Sequence, residues 1–376
     1  MKTLSVPQGE FQLSRYPKRN NDQLRAWDAA DAYLLRELGD PSISASVLII
    51  NDSFGALSVA LADLNPQTVS DSFLAHRSTE LNLQSNNLPV DSVQRLNSLQ
   101  DPDGSLDLVL IKTPKTLALL EDQLQRIRPH LHSKTLILGA GMVKNIHTST
   151  LQLFEKIIGP TSTSPAQQKA RLIHCQYDPN LAPGNTPYPT CYRLENSEYL
   201  ITNHANVFSR ERLDIGTRLF LEQIPSSSEP RRIVDLGCGN GVVGLIAAER
   251  NPAAELIFID ESYMAVASAE SNFRAAFGEN RKAQFRATNC LEGIGPSSAD
   301  LVLNNPPFHQ QGAIGDHIAW EMFRAAKAAL KTGGEIMVVG NRHLAYHVKL
   351  KRLFGNCKVV ASNRKFVIIK SCKNSL

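Results

Sequence analysis

The chain has 376 residues, 42% of them hydrophobic and 20% charged, with a formal net charge of +4. That balance excludes a disordered chain, and no apolar run approaches the ~20 residues of a membrane-spanning helix. The six cysteines, at positions 175, 191, 238, 290, 357 and 372, form no CxxC pair or other metal-like spacing. They are therefore expected to be reduced thiols in a cytoplasmic protein without a metal site, and the opening MKTLSVPQGEFQLSRYP lacks the apolar core of a signal peptide. Residues 1–190 carry 17 basic and 18 acidic side chains, leaving 23 and 18 for residues 191–376. The basic excess of the second half suits a phosphate-rich partner without requiring one.

The first half offers SVLIIN as a strand, FGALSVALAD as a helix, LDLVLIK as a strand, KTLALLEDQLQRIRP as a helix and KTLILGA as a strand. Between the loop segments GPTSTSP and DPNLAPGNTPYPT, KARLIHCQY reads as a further strand. The Pro/Gly/Asn stretch at about 178–190 marks the boundary between domains at 1–180 and 191–376. Beyond it come RRIVDLG (strand), GVVGLIAAERN (helix), LIFID (strand) and SYMAVASAESNFRAAF (helix). The strand ADLVLNN, the helix WEMFRAAKAALK and the strand EIMVVGN follow, with His317 and Trp320 opening that helix as packing residues. Alternation of this kind predicts an α/β fold, a parallel sheet with helices on both faces.

The halves also resemble each other. VLIINDSFGALS aligns with IVDLGCGNGVVG at an offset of 186, SLDLVLIKTPK with SADLVLNNPPF at 193, and KTLILGAG with GGEIMVVG at 199. A drifting offset is what loop insertions after a duplication produce. Where the second half has Asp235, Gly237, Gly239, Asn305 and Pro306, the first has Ile49, Asn51, Ser53, Lys112 and Thr113. The first copy is therefore expected to keep the scaffold and bind no cofactor.

Asp235-Leu236-Gly237-Cys238-Gly239 lies between a strand and a helix, the nucleotide crevice of an open α/β sheet. No GK[ST] follows, which removes a phosphate loop, and the GxGxxG beginning at Gly239 is a weak match to a nicotinamide site. S-adenosylmethionine has no pyrophosphate but a cationic sulfonium and an amino-acid end. An acid at Asp235 and loop amides at Gly237, Cys238 and Gly239 suit those groups. Asp260 ends the next strand, where it can accept from both ribose hydroxyls or serve as an acid at a helix N-terminus. Asn289 is placed either to meet the adenine edge or to make a turn.

The deciding feature is Asn305-Pro306-Pro307-Phe308 at the end of Leu301-Val302-Leu303. The prolines stiffen the segment and bias Asn305 towards extended backbone. An exocyclic amine on a base is a poor nucleophile because its lone pair is delocalised into the ring. The Asn305 side-chain oxygen and the Pro306 carbonyl can hold its two hydrogens and aim the lone pair at a sulfonium methyl, while Phe308 stacks on an unpaired or flipped base. His309 either contacts a phosphate or caps the loop.

With these residues in view, the second half resembles the class I S-adenosylmethionine-dependent methyltransferases of the small-domain type. The segment HANVFSRERLDIGTRLFLEQI is similar to that preceding the cofactor loop in bacterial rRNA guanine-N2 methyltransferases. That resemblance implies that Val207, Phe208, Ser209, Asp214, Gly216 and Thr217 cover the methionine end of the cofactor. The whole chain, including LSRYP and QLRAWDAADAYLL, resembles the members acting on 23S rRNA. It implies two tandem Rossmann-like domains, the N-terminal one degenerate, and for the second a seven-stranded sheet whose last strand runs antiparallel, which the ending VVASNRKFVIIKS fits. The substrate implied is the N2 of a guanine in 23S rRNA. The 16S rRNA relatives share the motifs, and a protein-glutamine methyltransferase, which typically has Tyr in place of Phe308, is the alternative with the same hook. A non-catalytic RNA-binding protein is the remaining class. Arg342, Lys349, Lys351, Arg352, Lys358, Arg364, Lys365, Lys370 and Lys373 suit phosphate contacts or an ordinary solvated surface.

Overall fold

In the computed structural model, which describes residues 1–18, 23–39, 45–229, 231–307 and 313–375, the chain divides into two units, Met1–Tyr188 and Pro189–Leu376. The first unit opens with the hairpin β1 (Lys2–Val6) and β2 (Gly9–Leu13), then α1 (Ala29–Leu38), β3 (Val47–Ile50), α2 (Ala56–Ala60) and β4 (Gln67–Ser70). It continues through α3 (Phe73–Ser85), β5 (Gln94–Asn97), β6 (Leu108–Lys112), α4 (Leu117–Ile127), β7 (Leu136–Met142), α5 (Thr148–Ile157), β8 (Thr161–Thr163) and β9 (Ala170–Cys175).

The second unit opens with the hairpin β10 (Thr190–Arg193) and β11 (Leu200–Asn203), then α6 (Ile215–Gln223), β12 (Arg232–Leu236), α7 (Val242–Arg250) and β13 (Glu255–Asp260). It continues through α8 (Tyr263–Phe277), β14 (Ala283–Ala287), β15 (Ala299–Asn304), α9 (Ala313–Ala329), β16 (Leu330–Asn341), α10 (Tyr346–Phe354), β17 (Lys358–Ser362) and β18 (Phe366–Cys372). Two elements differ from expectation. FGALSVALAD is helical only as far as Ala60 before a 3-10 turn, and the helix expected to open near His317 begins at Ala313.

Each unit has a seven-stranded sheet, β5-β4-β3-β6-β7-β9-β8 and β14-β13-β12-β15-β16-β18-β17, so the strand order is the same in both. In the second unit β18 pairs antiparallel, as the resemblance implies, and in the first β9 does the same. Sheet register tests the duplication residue by residue. Ile49 pairs with Leu110, which pairs with Leu138. Asp235 pairs with Leu303, which pairs with Met337. These are the positions that offsets of 186, 193 and 199 connect in the sequence.

Parallel strands buried on both faces read as continuous apolar runs, and both sheets obey this. On one face of the second sheet Ile233, Phe258, Leu303 and Met337 pack against Phe220, Ala247 and Phe273 of α6, α7 and α8. On the other, Val234, Ile257, Val302 and Ile336 pack against Phe323, Leu350 and Phe354 of α9 and α10. Burying each such side chain contributes about 1.5–3 kcal/mol. The first sheet divides the same way, Ile49 and Leu110 facing α1 and α2, Leu48 and Val109 facing α4 and α5.

The likeness extends to polar detail. Gly55 (φ 81) and Gly241 (φ 79) precede α2 and α7. A Cβ at Gly55 would sit 2.7 Å from the Thr79 backbone, and one at Gly241 2.9 Å from the Ala269 backbone, so both glycines are required by a helix crossing. Buried Asn82 bonds Ser14 through both its amide N–H and backbone carbonyl and donates to the Phe54 carbonyl. Asn272 does the same for Thr202 and the Asn240 carbonyl. Each asparagine thereby clamps its unit's opening hairpin to the loop after the first sheet strand.

Candidate active site

β12 ends in the glycine loop. The Gly237 and Cys238 amides donate to the Ile259 carbonyl at 2.8 and 2.9 Å. The Gly239 amide donates to Asp260 Oδ2 at 3.0 Å, while Oδ1 accepts from Ser262 at 3.0 Å. Loop and second strand end are thus zipped together. A Cβ on Gly239 would meet nothing within 4 Å, so that face of the loop is open.

Asp235 is 2% exposed and lies beneath the loop rather than on its open face. Its Oδ2 accepts from the Gly244 amide at 2.8 Å in the first turn of α7. Burial pushes its pKa up to about 8 against the pull of that amide. Cys238 is likewise buried, and burial pushes its thiol well above the ordinary range, which rules out a nucleophilic thiolate. Asn289 donates to Glu292 at 3.1 Å, and its carbonyl accepts the Glu292 amide, so it makes the turn after β14 at the loop's edge.

β15 is the neighbour of β12, with Leu236 opposite Asn304. Asn304, wholly buried, donates to the Leu236 carbonyl at 2.7 Å and fastens the two strand ends together. The next residue, Asn305, therefore emerges beside the glycine loop: a Cβ on Gly237 would lie 3.7 Å from its carbonyl oxygen. Asn305 Nδ2 donates to Thr217 Oγ1 at 3.0 Å, and its Oδ1 is buried with no hydrogen-bond partner among the described residues. Pro306 is buried and Pro307 exposed. Phe308 and His309 lie outside the described residues.

Asp214 caps α6, its Oδ2 accepting from the Thr217 amide at 2.9 Å and the Thr217 hydroxyl at 3.3 Å. Gly216 lets this turn lie on the Phe366 ring, since a Cβ there would come within 2.8 Å of it. Asp214, Thr217 and Asn305 are thus joined in one hydrogen-bonded chain at the mouth of the loop. The proline motif points to Asn305 and the resemblance to Asp214 and Thr217, but the sequence carries no signal for the link, which spans 88 residues, nor for Asn304 beneath it.

The first unit shows what the same frame looks like with other residues. Asn51 replaces Gly237 and keeps its left-handed backbone (φ 64 against 75). Its side chain reaches to the Lys112 carbonyl and Gln123, filling the gap between loop and strand end. Asp52 replaces Cys238 and accepts from the Ala56 and Ser58 amides at 2.9 and 2.8 Å. Lys112, in the place of Asn305, donates to Asp28 and Asp31 at 2.8 and 2.6 Å. Burial alone would lower the Lys112 pKa, but Asp31 and Asp28 outweigh it and raise it. Burial lifts Asp31 to about 6 despite the lysine.

In the second unit, an open glycine edge, a carboxylate at the end of the second strand and, among the described residues, an orphaned buried acceptor fit an adenosine-bearing methyl donor with an amine substrate beside it. Among the described residues, no group of three or more His, Cys, Asp or Glu could hold a metal ion. No described helix is long and apolar enough to cross a membrane.

Comparison with known proteins agrees with the division of the chain. The family described as RLMG N-terminal domain matches residues 1–179, and that described as methyltransferase small domain matches residues 198–370. The ribosomal RNA large subunit methyltransferase G of Streptomyces avermitilis is 51% identical over 98% of this chain and 99% of its own. Its namesake from Yersinia enterocolitica is 49% identical over 97% and 93%. A T. thermophilus 16S rRNA N2 methyltransferase, solved with AdoMet and guanosine, superposes with a TM-score of 0.78 at 20% identity. That match covers 99% of this chain and 98% of that one, and the two share the tandem fold.

Proposed function

The chain belongs to the ribosomal RNA large subunit methyltransferase G family, and from that premise we propose that it methylates the exocyclic N2 of a guanine in 23S rRNA, in the cytoplasm. It is an S-adenosylmethionine-dependent methyltransferase whose second unit carries the class I fold. The observation that supports the choice of an amine is the buried, unpartnered Oδ1 of Asn305 beside the glycine loop. A buried acceptor left without a donor costs about 1–3 kcal/mol, and a substrate N–H would satisfy it.

When bound, S-adenosylmethionine supplies an electrophilic sulfonium methyl. Gly237, Cys238, Gly239 and Asp260 would hold it, with Asp235 supporting the loop from below through Gly244, and Asn289, Asp214 and Thr217 at its borders. Asn305 Oδ1 and the Pro306 carbonyl would each accept one amine hydrogen, drawing the nitrogen out of conjugation with the ring. Positioning and hydrogen bonding then supply the catalysis, and no strong general base is required, because the methylated amine is acidic enough to release its extra proton to water. Phe308 stacks on the base in this reading. The first unit binds no cofactor and contributes RNA contacts, a role consistent with Asn51, Asp52 and Lys112 occupying the corresponding space. Exposed Arg342, Lys351, Arg352, Lys358, Arg364 and Lys365 are available to phosphates.

Primer extension on rRNA from a strain lacking the gene tests this. A stop in 23S rRNA should return with the wild-type gene and not with Asn305→Ala. A stop restored equally by both, or one in 16S rRNA, refutes the assignment.

A further inference from the structure

We propose that Thr217 and Asp214 are positioning residues that set the polarity of the Asn305 amide, so that its oxygen and not its nitrogen faces the substrate amine. The inference rests on the reading of Asn305 given above and adds residues 88 and 91 positions away in the chain.

An asparagine side chain is nearly symmetric in shape but not in chemistry, since one end donates and the other accepts. If Asn305 turned by half a revolution about its last bond, its NH2 would face the substrate NH2 and the hook would repel what it should hold. Thr217 decides between the two orientations. Its hydroxyl has one proton, and the Asp214 carboxylate, which can only accept, takes it at 3.3 Å. What remains on Thr217 Oγ1 towards Asn305 is a lone pair, so Asn305 must present Nδ2 there, as it does at 3.0 Å. Oδ1 is then the end left buried and unpartnered. Asp214 is itself fixed, because as the α6 cap it also holds the Thr217 amide at 2.9 Å. Thr217 is 8% exposed, which keeps water from substituting for its hydroxyl.

The first unit supports polarity as the controlled property. Asp28 caps α1 as Asp214 caps α6, Asp31 stands three residues on as Thr217 does, and Lys112 ends its strand where Asn305 follows its own. The three positions are joined in both units. In the first they end in an ammonium, a donor with no acceptor to offer.

The test uses the full-length protein and 23S rRNA. Thr217→Val keeps the side-chain shape and the backbone cap but removes the hydroxyl. It should lower kcat on the order of 10-fold, the worth of one buried hydrogen bond, while calorimetry shows S-adenosylmethionine affinity falling less than kcat. Thr217→Ser should restore most of the rate. Asp214→Asn preserves the cap but lets its own amide donate to Thr217, so both polarities of Asn305 become available and kcat should again fall. In an Asn305→Ala background, Thr217→Val should have no further effect. The proposal is overturned if Thr217→Val weakens cofactor binding as much as it lowers kcat, or if its effect multiplies with that of Asn305→Ala. Full activity in Asn305→Ala alone would instead remove the reading of the hook itself.

Discussion

Replacing Lys112 by Met in the first unit tests whether that unit is held by an ion pair where the other has a hydrogen-bonded asparagine. Lys112 Nζ lies 2.6 Å from Asp31 and 2.8 Å from Asp28, and the Asp31 side chain is 9% exposed while that of Asp28 is 48% exposed. Breaking a buried pair costs about 3–5 kcal/mol because the remaining charge is stranded. The exposed Asp28 is screened and adds little, so the expected loss is about 3 kcal/mol at pH 8. Asp31 already has its folded-state pKa raised to about 6, and without the lysine it rises further. The unfolded states are alike, so the mutant's deficit should shrink as pH falls from the mutant's higher Asp31 pKa towards about 6, below which Asp31 is protonated in both folded proteins. The chain has two tryptophans. In a Trp320→Phe background, the fluorescence of Trp27, adjoining the Asp28 cap, follows urea unfolding of the first unit. Lys112→Met/Asp31→Asn should recover most of the loss at pH 8. An equal deficit at pH 5 and pH 8, or no recovery in the double mutant, would refute the reasoning.

Four further outcomes are expected. Asn305→Ala should reduce single-turnover methyl transfer by about 10²–10³-fold with S-adenosylmethionine affinity intact, the scale of removing one preorganised transition-state hydrogen bond. Folded Asp235 keeps a proton up to about pH 8 that the unfolded chain releases near 3.8, so stability should fall as pH rises across that window. Asp235→Asn, which still accepts from Gly244, should flatten that slope, whose upper bound is on the order of 5 kcal/mol. Thermal melts from pH 4 to pH 9 check it. Gly241→Ala should destabilise by about 3 kcal/mol, through a left-handed backbone and a collision with Ala269. Gly239→Ala meets no neighbour and should cost about 1 kcal/mol, while calorimetry shows its cofactor affinity falling more than its melting temperature does.

Much of this was legible because it depends on local pattern. Apolar runs marked the sheet strands, and the offsets of 186, 193 and 199 match positions that the sheet register makes equivalent. The loop and the Asn305 hook were visible because glycine and proline restrict the backbone in ways few other residues do. What stayed hidden were polar links between distant segments. Asn82 and Asn272 are helix-interior residues of poor propensity, and nothing nearby shows that each clamps a hairpin. Asn304 reads as the last residue of a strand, and its bond to Leu236 exists only once β12 and β15 are paired. Asp235 was expected to serve the cofactor face and instead supports α7 from a buried position, since spacing along a strand does not say which way a side chain turns.

The three linked positions of each unit have a consequence for descent. In the first unit the acidic cap and a second aspartate close on an ammonium. Exchanging Lys112 alone would strand the buried Asp31 without its cation. Regaining a hook there therefore requires changing both positions, and the way back does not run through the lysine alone.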